Sequence, residues 1–445
     1  MKEKEFLPRL GERLGITTLN PMQRRMLEAS SENKDIILLS PTGSGKTVAF
    51  ILPVLKRLKP STGRVQAVVV APSRELVMQI ARVFNEVASD FKVTPLYGGH
   101  KVEDEVNALR IVPDIVVATP GRLLDHSNRR NIDLLPTRIL VLDEFDKILE
   151  LGFEKELKKI LDRLKNVSRT ILTSATRADV FPEFLRLDNP IEVNFLEENR
   201  SLRRRMQVNR VSSDGKDKLL TLLNLLHTLA GGKSPEKSII FLNHRESAER
   251  TARFLEGKGV DCVLYHGALD QHERESAIAA FNNGSRPVLV ATDLAARGLD
   301  IRGVRNVIHY HQPLSAEAYT HRNGRTARVE EDGEIFVLIG PEEDVKEYVE
   351  FDRELHVDIA DGTPLRSGLD TLFISAGKKE KLSKGDILGF LTKECGIPGS
   401  NVGGIEVFDH YSLVALPSDD ALLAVEKGKS AKIKGARRKV SLKFR

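Results

Sequence analysis

Ser40-Pro41-Thr42-Gly43-Ser44-Gly45-Lys46-Thr47 lies between an apolar run, Ile36 to Leu39, and a helix-compatible run from Val48 to Leu58. Together they predict a strand, a tight loop and a helix. Glycines 43 and 45 let backbone N–H groups turn inward onto a polyphosphate, Lys46 reaches its outer phosphates, and the Thr47 hydroxyl is placed for Mg²⁺. On this stretch alone a Gly/Ser turn carrying Gly-Lys-Thr by chance reads the same way, because the strict loop pattern has Gly where Ser40 stands. The rest of the chain decides between the two.

Working outward, residues 36 to 193 alternate short apolar runs with helical ones, and Ala67 to Val70, Ile115 to Ala118, Ile139 to Leu142 and Thr170 to Leu172 read as buried strands. That alternation predicts a doubly wound parallel sheet with helices on both faces. Charge-rich residues Glu197 to Arg205 interrupt it, and a second series follows with strands at Ser238 to Leu242, Cys262 to Tyr265, Val288 to Ala291, Val304 to Tyr310 and Glu334 to Ile339. Helical stretches such as Glu246 to Lys258 and Gln271 to Asn282 separate them, which predicts a second α/β domain. Asp361-Gly362-Thr363-Pro364 marks a further boundary. Beyond it the order is strand Thr371 to Ser375, helix Lys384 to Glu394, strands Val402 to Phe408 and Tyr411 to Leu416, helix Asp419 to Val425 and strand Arg437 to Phe444. This is the order of a ferredoxin-like or RRM-like sheet, and of a plain α+β appendage as well. Phe373 and Tyr411 are the obvious aromatic candidates on that sheet, too few to support base stacking there.

The chain has 445 residues, enough for about three domains. Charged residues make up 29% and hydrophobic ones 41%, an ordinary globular balance with no apolar span long enough for a membrane. The start, Met1-Lys2-Glu3-Lys4-Glu5, has no apolar segment of a secretory signal, and two isolated cysteines, Cys262 and Cys395, make neither a disulfide framework nor a metal site. A reducing, cytoplasmic setting is expected. Of the net +5, residues 371 to 445 contribute +6, with 14 Lys/Arg against 8 Asp/Glu, and Lys427 to Arg445 carries nine basic residues and no acid. Such a run suits a phosphate backbone or a solvated tail. Interleaved Ile433, Val440, Leu442 and Phe444 weigh against the solvated tail and favour a folded segment facing phosphates. His309-Tyr310-His311 reads as structural, lacking a third metal ligand, and Lys155 to Lys165 as a solvated helix face.

Asp143-Glu144 follows Leu142 at a strand end, on the sheet edge where the phosphate loop also lies. One acid can hold Mg²⁺ while the other orients or deprotonates a water attacking a γ-phosphate. Read alone, the pair fits an exposed acidic helix cap equally well.

At this point the residues resemble a family. Asp143-Glu144-Phe145-Asp146 is similar to the DEAD motif of the DEAD-box RNA helicases, and other signatures of that family occur in order. Gly15 to Gln23, with Phe6 upstream, resembles the Q motif, which implies that Gln23 reads the adenine edge and Phe6 stacks on the base. Pro72-Ser73-Arg74-Glu75-Leu76, Gly98-Gly99 and Thr119-Pro120-Gly121-Arg122 resemble motif Ia, the GG motif and motif Ib, which implies RNA contacts at Arg74, Gly98, Gly99, Thr119 and Arg122. Ser174-Ala175-Thr176 resembles the element tying ATP state to domain closure, with Asp146 and His321 as further coupling residues. In the second domain Ile240-Phe241-Leu242-Asn243 resembles motif IV. His266-Gly267 with Gln271 and Arg274 resembles the RNA-facing QxxR element. Ala291-Thr292-Asp293 through Asp300 resembles motif V, implying that Thr292 touches RNA and Asp300 the nucleotide ribose. His321-Arg322-Asn323-Gly324-Arg325-Thr326-Ala327-Arg328 resembles motif VI, implying arginine fingers at Arg325 and Arg328. The segment from Lys381 through His410-Tyr411-Ser412 to Lys434-Gly435 is similar to the RRM-like domain of the DbpA type, a branch that targets a large-subunit ribosomal RNA hairpin during ribosome assembly.

The resemblance implies two tandem RecA-like doubly wound parallel-sheet domains, over 1–202 and 203–362, a linker over 363–370, and a small α+β RRM-like domain over 371–445. It implies an RNA-stimulated ATPase that uses ATP and Mg²⁺ to separate short RNA duplexes, acts as a monomer on structured, ribosomal RNA, meets ribosome assembly intermediates, and has no membrane partner. Closure of the two incomplete halves would assemble the catalytic site. Phe145 replaces the family's Ala and is expected to set a bulky ring beside the metal and base. Asn323 replaces the usual Ile, and Ala327 stands where Gly is common. An ATP-gated RNA clamp or annealer whose Phe145 suppresses turnover, and a general messenger-RNA helicase, stay open as alternatives.

Overall fold

Each apolar run read above as a buried strand in the two α/β series is one, to within two residues, in the computed structural model, which describes residues 3–41, 44–177, 181–196, 206–296, 301, 303–326 and 333–444. The chain divides near Arg203 and Arg204 into two compact units.

In the first unit, strands β1 (Ile36–Leu39), β2 (Ala67–Val70), β3 (Val93–Leu96), β4 (Ile115–Ala118), β5 (Ile139–Leu142), β6 (Arg169–Ser174) and β7 (Ile191–Asn194) form one sheet in the order β3-β4-β2-β5-β6-β1-β7. Every pairing in it is parallel. Alternate residues of β1 face opposite layers: Ile36 and Leu38 pack with Phe50, Ile80 and Phe84, while Ile37 and Leu39 pack with Phe145, Leu157 and Ile160. The inner strands are buried on both faces, which is why they read as continuous apolar runs. The two outermost strands, β3 and β7, escape the sequence reading because β3 buries only alternate residues and contains Pro95, while β7 buries only Val193.

The second unit begins with a like sheet of β8 (Met206–Ser212), β9 (Ser238–Phe241), β10 (Cys262–Tyr265), β11 (Val288–Ala291), β12 (Asn306–His309), β13 (Gly333–Ile339) and β14 (Arg353–Glu354), in the order β10-β11-β9-β12-β13-β8-β14 and again all parallel. The same unit carries a four-stranded antiparallel sheet of β15 (Leu369–Ile374), β16 (Ile405–Val407), β17 (Ser412–Pro417) and β18 (Val440–Leu442), ordered β16-β17-β15-β18. Leu372 and Ile374 point under the helices Lys384–Gly389 and Ser418–Gly428, with Ile387, Leu416 and Ala424. Phe373, Tyr411 and Leu413 lie on the opposite face, against Ala279 of the helix Gln271–Asn282.

The stretch expected as a linker is held down. Arg366 Nη1 and the Ser367 N–H donate to Asp261 at 2.7 and 2.9 Å. Ser285 Oγ lies 2.6 Å from Thr371 Oγ1, and Arg286 Nη2 donates to the Phe444 carbonyl at 2.9 Å. These bonds explain why residues from 363 onward belong to the same compact unit as the second parallel sheet.

Candidate active site

The loop after β1 is built on the Asn20–Gln23 turn. Asn20 and Gln23 form a capping box for the helix Pro21–Ala29, with Gln23 N–H donating to Asn20 Oδ1 at 2.8 Å and Asn20 N–H to Gln23 Oε1 at 3.0 Å. Asn20 Nδ2 donates to the Ser44 carbonyl at 3.0 Å and Gln23 Nε2 approaches the Gly45 carbonyl at 3.5 Å. Gly45 sits at φ +90°, which calls for glycine, and a Cβ there would also crowd the Gln23 amide at 2.9 Å. The Gln23 amide expected to read adenine is therefore engaged by Asn20 and Gly45 in this structure. Ser40, the departure at the head of the loop, donates through Oγ to Ser44 Oγ at 2.6 Å, and Ser44 Oγ donates to the Pro41 carbonyl at 2.8 Å. Lys46 opens the helix Lys46–Arg57, and its Nζ is buried without a hydrogen-bond partner among the described residues. Thr47 is half-buried beside it.

Across the sheet edge, Asp143 and Glu144 follow β5 and are 3% and 8% exposed, and Glu144 makes no side-chain cap, so the exposed-cap reading falls. Thr173 Oγ1 donates to Asp143 Oδ1 at 2.5 Å and accepts from the Glu144 N–H at 3.1 Å. Burial pushes the Asp143 carboxyl up, while Lys46 and the Thr173 hydroxyl pull it back. An orphaned buried ammonium facing a desolvated carboxylate fits a polyphosphate and a hard oxygen-seeking cation, with Asp143 and Thr47 as the donors that would hold Mg²⁺. Glu144 has φ +49°, a left-handed backbone that a bulky residue adopts at a cost. Asp146 Oδ2 accepts from the Ala175 N–H at 3.3 Å and from Thr176 Oγ1 at 3.2 Å, and Ser174 Oγ accepts from the Thr176 N–H at 3.2 Å. The expected coupling residues of the first unit are thus in direct contact.

The expectation for Phe145 is corrected. Its ring is 1% exposed and turns away from the acids into the apolar layer with Leu142 and Ile148, 6.1 Å from the Phe181 ring. A strand-to-helix turn sends successive side chains to opposite sides, so the ring fills the core while its neighbours line the edge. Phe145→Ala is accordingly expected to destabilise the first unit by about 3–5 kcal/mol through the cavity it leaves. Denaturant unfolding measures this; a variant of unchanged stability and raised turnover would favour the suppressing role instead.

Further along the same edge, Arg74 begins a helix capped by Ser73, whose Oγ accepts from the Leu76 N–H at 3.2 Å. The guanidinium lies against Gly99, where a Cβ would fall 2.1 Å from Arg74 Nη1. Gly98 and Gly99 are exposed, and Thr119 and Arg122 are half-buried. Glu105 joins these pieces. It is 2% exposed, and its carboxylate accepts from the Tyr97 N–H at 2.8 Å, meets His126 Nε2 at 2.7 Å and His100 Nε2 at 3.2 Å, and pairs with Arg122 Nε. Sequence reading missed Glu105 because it stands in an acidic helix beside Glu103 and Asp104; its odd feature is a carboxylate on the helix's buried side.

In the second unit Arg322 is fully buried, its guanidinium paired with both Asp293 oxygens at 2.6 and 3.1 Å, with Asn243 Oδ1 at 2.7 Å and with the His311 carbonyl at 2.9 Å. One arginine thus ties together the three segments that resemble motifs IV, V and VI. His321 and Arg325 are buried on either side of it, and Thr292 is half-buried next to Asp293. The departure Asn323 has a partner: its Oδ1 lies 2.8 Å from His309 Nε2, in a site whose burial, with Arg322 nearby, holds His309 down at about 3. His311 Nδ1 separately accepts from the Asn243 N–H at 3.3 Å, so the two histidines serve different structural bonds. Arg274 is buried and donates to Gln271 Oε1 at 3.0 Å. Thr42, Gly43, Asp300, Ala327 and Arg328 lie outside the described residues, as does the side chain of Phe6.

Comparison with known proteins agrees with this geometry. Residues 20–183 match the DEAD/DEAH box helicase model, 216–330 the helicase conserved C-terminal domain, and 371–442 the DbpA RNA binding domain. The chain is 33% identical over 455 residues to the ATP-dependent RNA helicase DbpA of Escherichia coli (strain K12), covering 96% of this chain and 95% of that protein. It is 35% identical over 349 residues to the DEAD-box ATP-dependent RNA helicase RhpA of Helicobacter pylori (strain ATCC 700392 / 26695), covering 78% and 70%. Among solved structures, Dbp5 of S. cerevisiae bound to RNA and ADP BeF3 superposes with a TM-score of 0.69 at 25% identity, over 80% of this chain and 94% of that one.

Proposed function

The chain belongs to the DEAD-box ATP-dependent RNA helicases, and from that membership we propose that its target is structured ribosomal RNA of the assembling large subunit. It is an ATP hydrolase that acts on RNA. The observation that carries the target is the C-terminal domain, which combines the match to the DbpA RNA binding domain with a basic edge. Lys378, Lys379 and Lys381 in the loop after β15 and Lys384 at the start of the next helix are exposed, as are Lys432, Lys434, Arg437 and Lys439 in the turn before β18. The Ser375 N–H donates to the Lys439 carbonyl and the Lys439 N–H to Ser375 Oγ, and with the reach of Lys434 Nζ to the Lys381 carbonyl and Asp386 these bonds bring the two loops together. Clustered cations of this kind grip phosphates whatever the base sequence.

The residues divide the work as follows. Lys46 neutralises the outer phosphates, with the backbone of Thr42, Gly43, Ser44 and Gly45 around them. Thr47 and Asp143 would hold Mg²⁺, which would supply charge neutralisation at the phosphate oxygens. Glu144 orients the attacking water and takes its proton, and Arg325 and Arg328, carried by the second unit, neutralise charge on the transferring phosphoryl group. Arg74, Gly98, Gly99, Thr119, Arg122, Arg274 and Thr292 line the RNA path. Asp146 senses the nucleotide state through Ser174 and Thr176. Because RNA and ATP favour the same arrangement, each tightens the other's binding.

The test is ATP hydrolysis by the full chain across a panel of structured RNAs, large-subunit ribosomal fragments included, repeated for Lys378→Glu/Lys379→Glu/Lys439→Glu. A ribosomal fragment is expected to stimulate at about a tenth of the concentration other RNAs need. The triple variant is expected to lose that advantage, with a salt slope shallower by about 2 if three phosphate contacts go. Equal stimulation by every RNA sinks the ribosomal assignment. Charge reversal is preferable to deleting residues 371–445, since deletion would expose the apolar contact with the helix Gln271–Asn282.

A further inference from the structure

A chain of hydrogen bonds runs from the C-terminal sheet into the helix Gln271–Asn282 and ends on Arg274. Tyr411 Oη donates to Glu275 Oε2 at 2.8 Å, Gln271 Nε2 donates to Glu275 Oε1 at 3.0 Å, and Arg274 Nη2 donates to Gln271 Oε1 at 3.0 Å. The helix that carries the last three is fixed at its start by a reciprocal Asp270–Glu273 capping box. Tyr411 is 7% exposed and Arg274 is 4% exposed, so the chain lies within the fold and only a small part of Arg274 meets the surface.

The Tyr411 ring is clamped. Phe408 stacks on it at 4.5 Å and 14°, His272 lies 4.2 Å away, and Phe373 sits at 5.8 Å. Burial first, and then the neighbouring Glu275 carboxylate, push the phenol up, so it remains a donor at neutral pH. Lys443 Nζ reaches His272 Nδ1 at 3.2 Å and packs over the Phe373 ring, closing the rim of the contact. An RRM sheet offers such rings to bases. Here they are occupied by the helix that bears Arg274.

We propose that the C-terminal domain is a positioning element for Arg274: Tyr411, through Glu275 and Gln271, sets the orientation of that guanidinium and with it the grip of the second α/β domain on RNA. The inference rests on the reading that Arg274 contacts RNA. A carboxylate held by a donor on each oxygen cannot rotate without breaking one bond, and Gln271 cannot flip its amide without losing both its own. The C-terminal domain therefore acts twice: its basic edge recruits RNA, and its aromatic face prepares a separate residue to hold it.

The test is RNA-stimulated ATP hydrolysis by the full chain in four versions: wild type, Tyr411→Phe, Arg274→Ala and the double variant. Tyr411→Phe keeps the ring stack and removes one hydroxyl. It is expected to raise the RNA concentration for half-maximal stimulation about tenfold, the scale of a hydrogen bond to a charged group, leaving the saturated rate and the RNA-free rate unchanged. In the Arg274→Ala background the same substitution is expected to change nothing further. Glu275→Ala, which cuts the chain at its centre, is expected to match Tyr411→Phe in RNA dependence. An unchanged RNA dependence in Tyr411→Phe overturns the proposal, and so does a tenfold effect that persists without Arg274, since that belongs to docking alone. A wild-type chain whose hydrolysis ignores RNA overturns the functional reading and this inference together.

Discussion

Glu144→Gln is expected to lower RNA-stimulated ATP hydrolysis by about 10²- to 10⁴-fold, the contribution of a positioned general base, while ATP binding survives. The substitution keeps the size of the side chain and removes its ability to take a proton. Its backbone is already fixed in the left-handed region at φ +49°, by the turn between β5 and the helix Phe145–Glu150 and by the bond from its N–H to Thr173. A Gln at this place therefore presents an amide where the carboxylate stood. Under the proposed coupling of ATP state to RNA binding, the variant is expected to hold RNA longer in the presence of ATP, which filter retention with a labelled duplex measures. Unchanged turnover in Glu144→Gln would remove this residue from the chemistry.

Arg325→Ala is expected to cost more, about 10³- to 10⁵-fold in single-turnover hydrolysis, the range of an arginine that neutralises a transferring phosphoryl group. Its neighbour three residues earlier provides the contrast. Arg322 is wholly enclosed and paired on both guanidinium edges with Asp293, Asn243 and a backbone carbonyl. Removing it leaves a cavity and takes the donors from Asn243 Oδ1 and the His311 carbonyl, while the partly open Asp293 is rescued by water, and is expected to cost about 2–4 kcal/mol of folding stability. Arg325→Ala should therefore melt closer to the wild type than Arg322→Ala does, yet turn over almost nothing, whereas Arg322→Ala should lose stability and activity together. If both variants melt alike and lose activity alike, Arg325 is a scaffold residue.

The strands that carry the site were plain in the sequence because parallel strands buried on both faces leave uninterrupted apolar runs, as in Ile36–Leu39 and Ile139–Leu142. The loop and the acid pair were legible for a related reason, since each begins where such a run stops. What the sequence hid was direction. Nothing in Asp143-Glu144-Phe145-Asp146 says that the third side chain goes into the core while the others stay at the edge; that follows from the turn, seen only in three dimensions. Glu105 and Thr173 were hidden in another way, being ordinary residue types whose importance comes from partners distant in sequence, Arg122 and His126 for one and Asp143 for the other. Asn323 reads in the sequence only as a departure, because nothing there marks His309, 14 residues earlier, as its partner. The bonds from Asp261, Ser285 and Arg286 to residues beyond 365 left no mark in composition, which instead drew attention to a Gly-Thr-Pro boundary.

The face shared by Tyr411, Phe373 and the helix Gln271–Asn282 sets a limit on how this enzyme can be re-engineered. A chimera that exchanges the chain from Leu369 onward for a foreign RNA-recognition module leaves His272, Glu275 and Ala279 facing a surface they were never matched to. Retargeting calls for helix and sheet to be transplanted as a pair, and the natural place to cut lies upstream, close to Arg204.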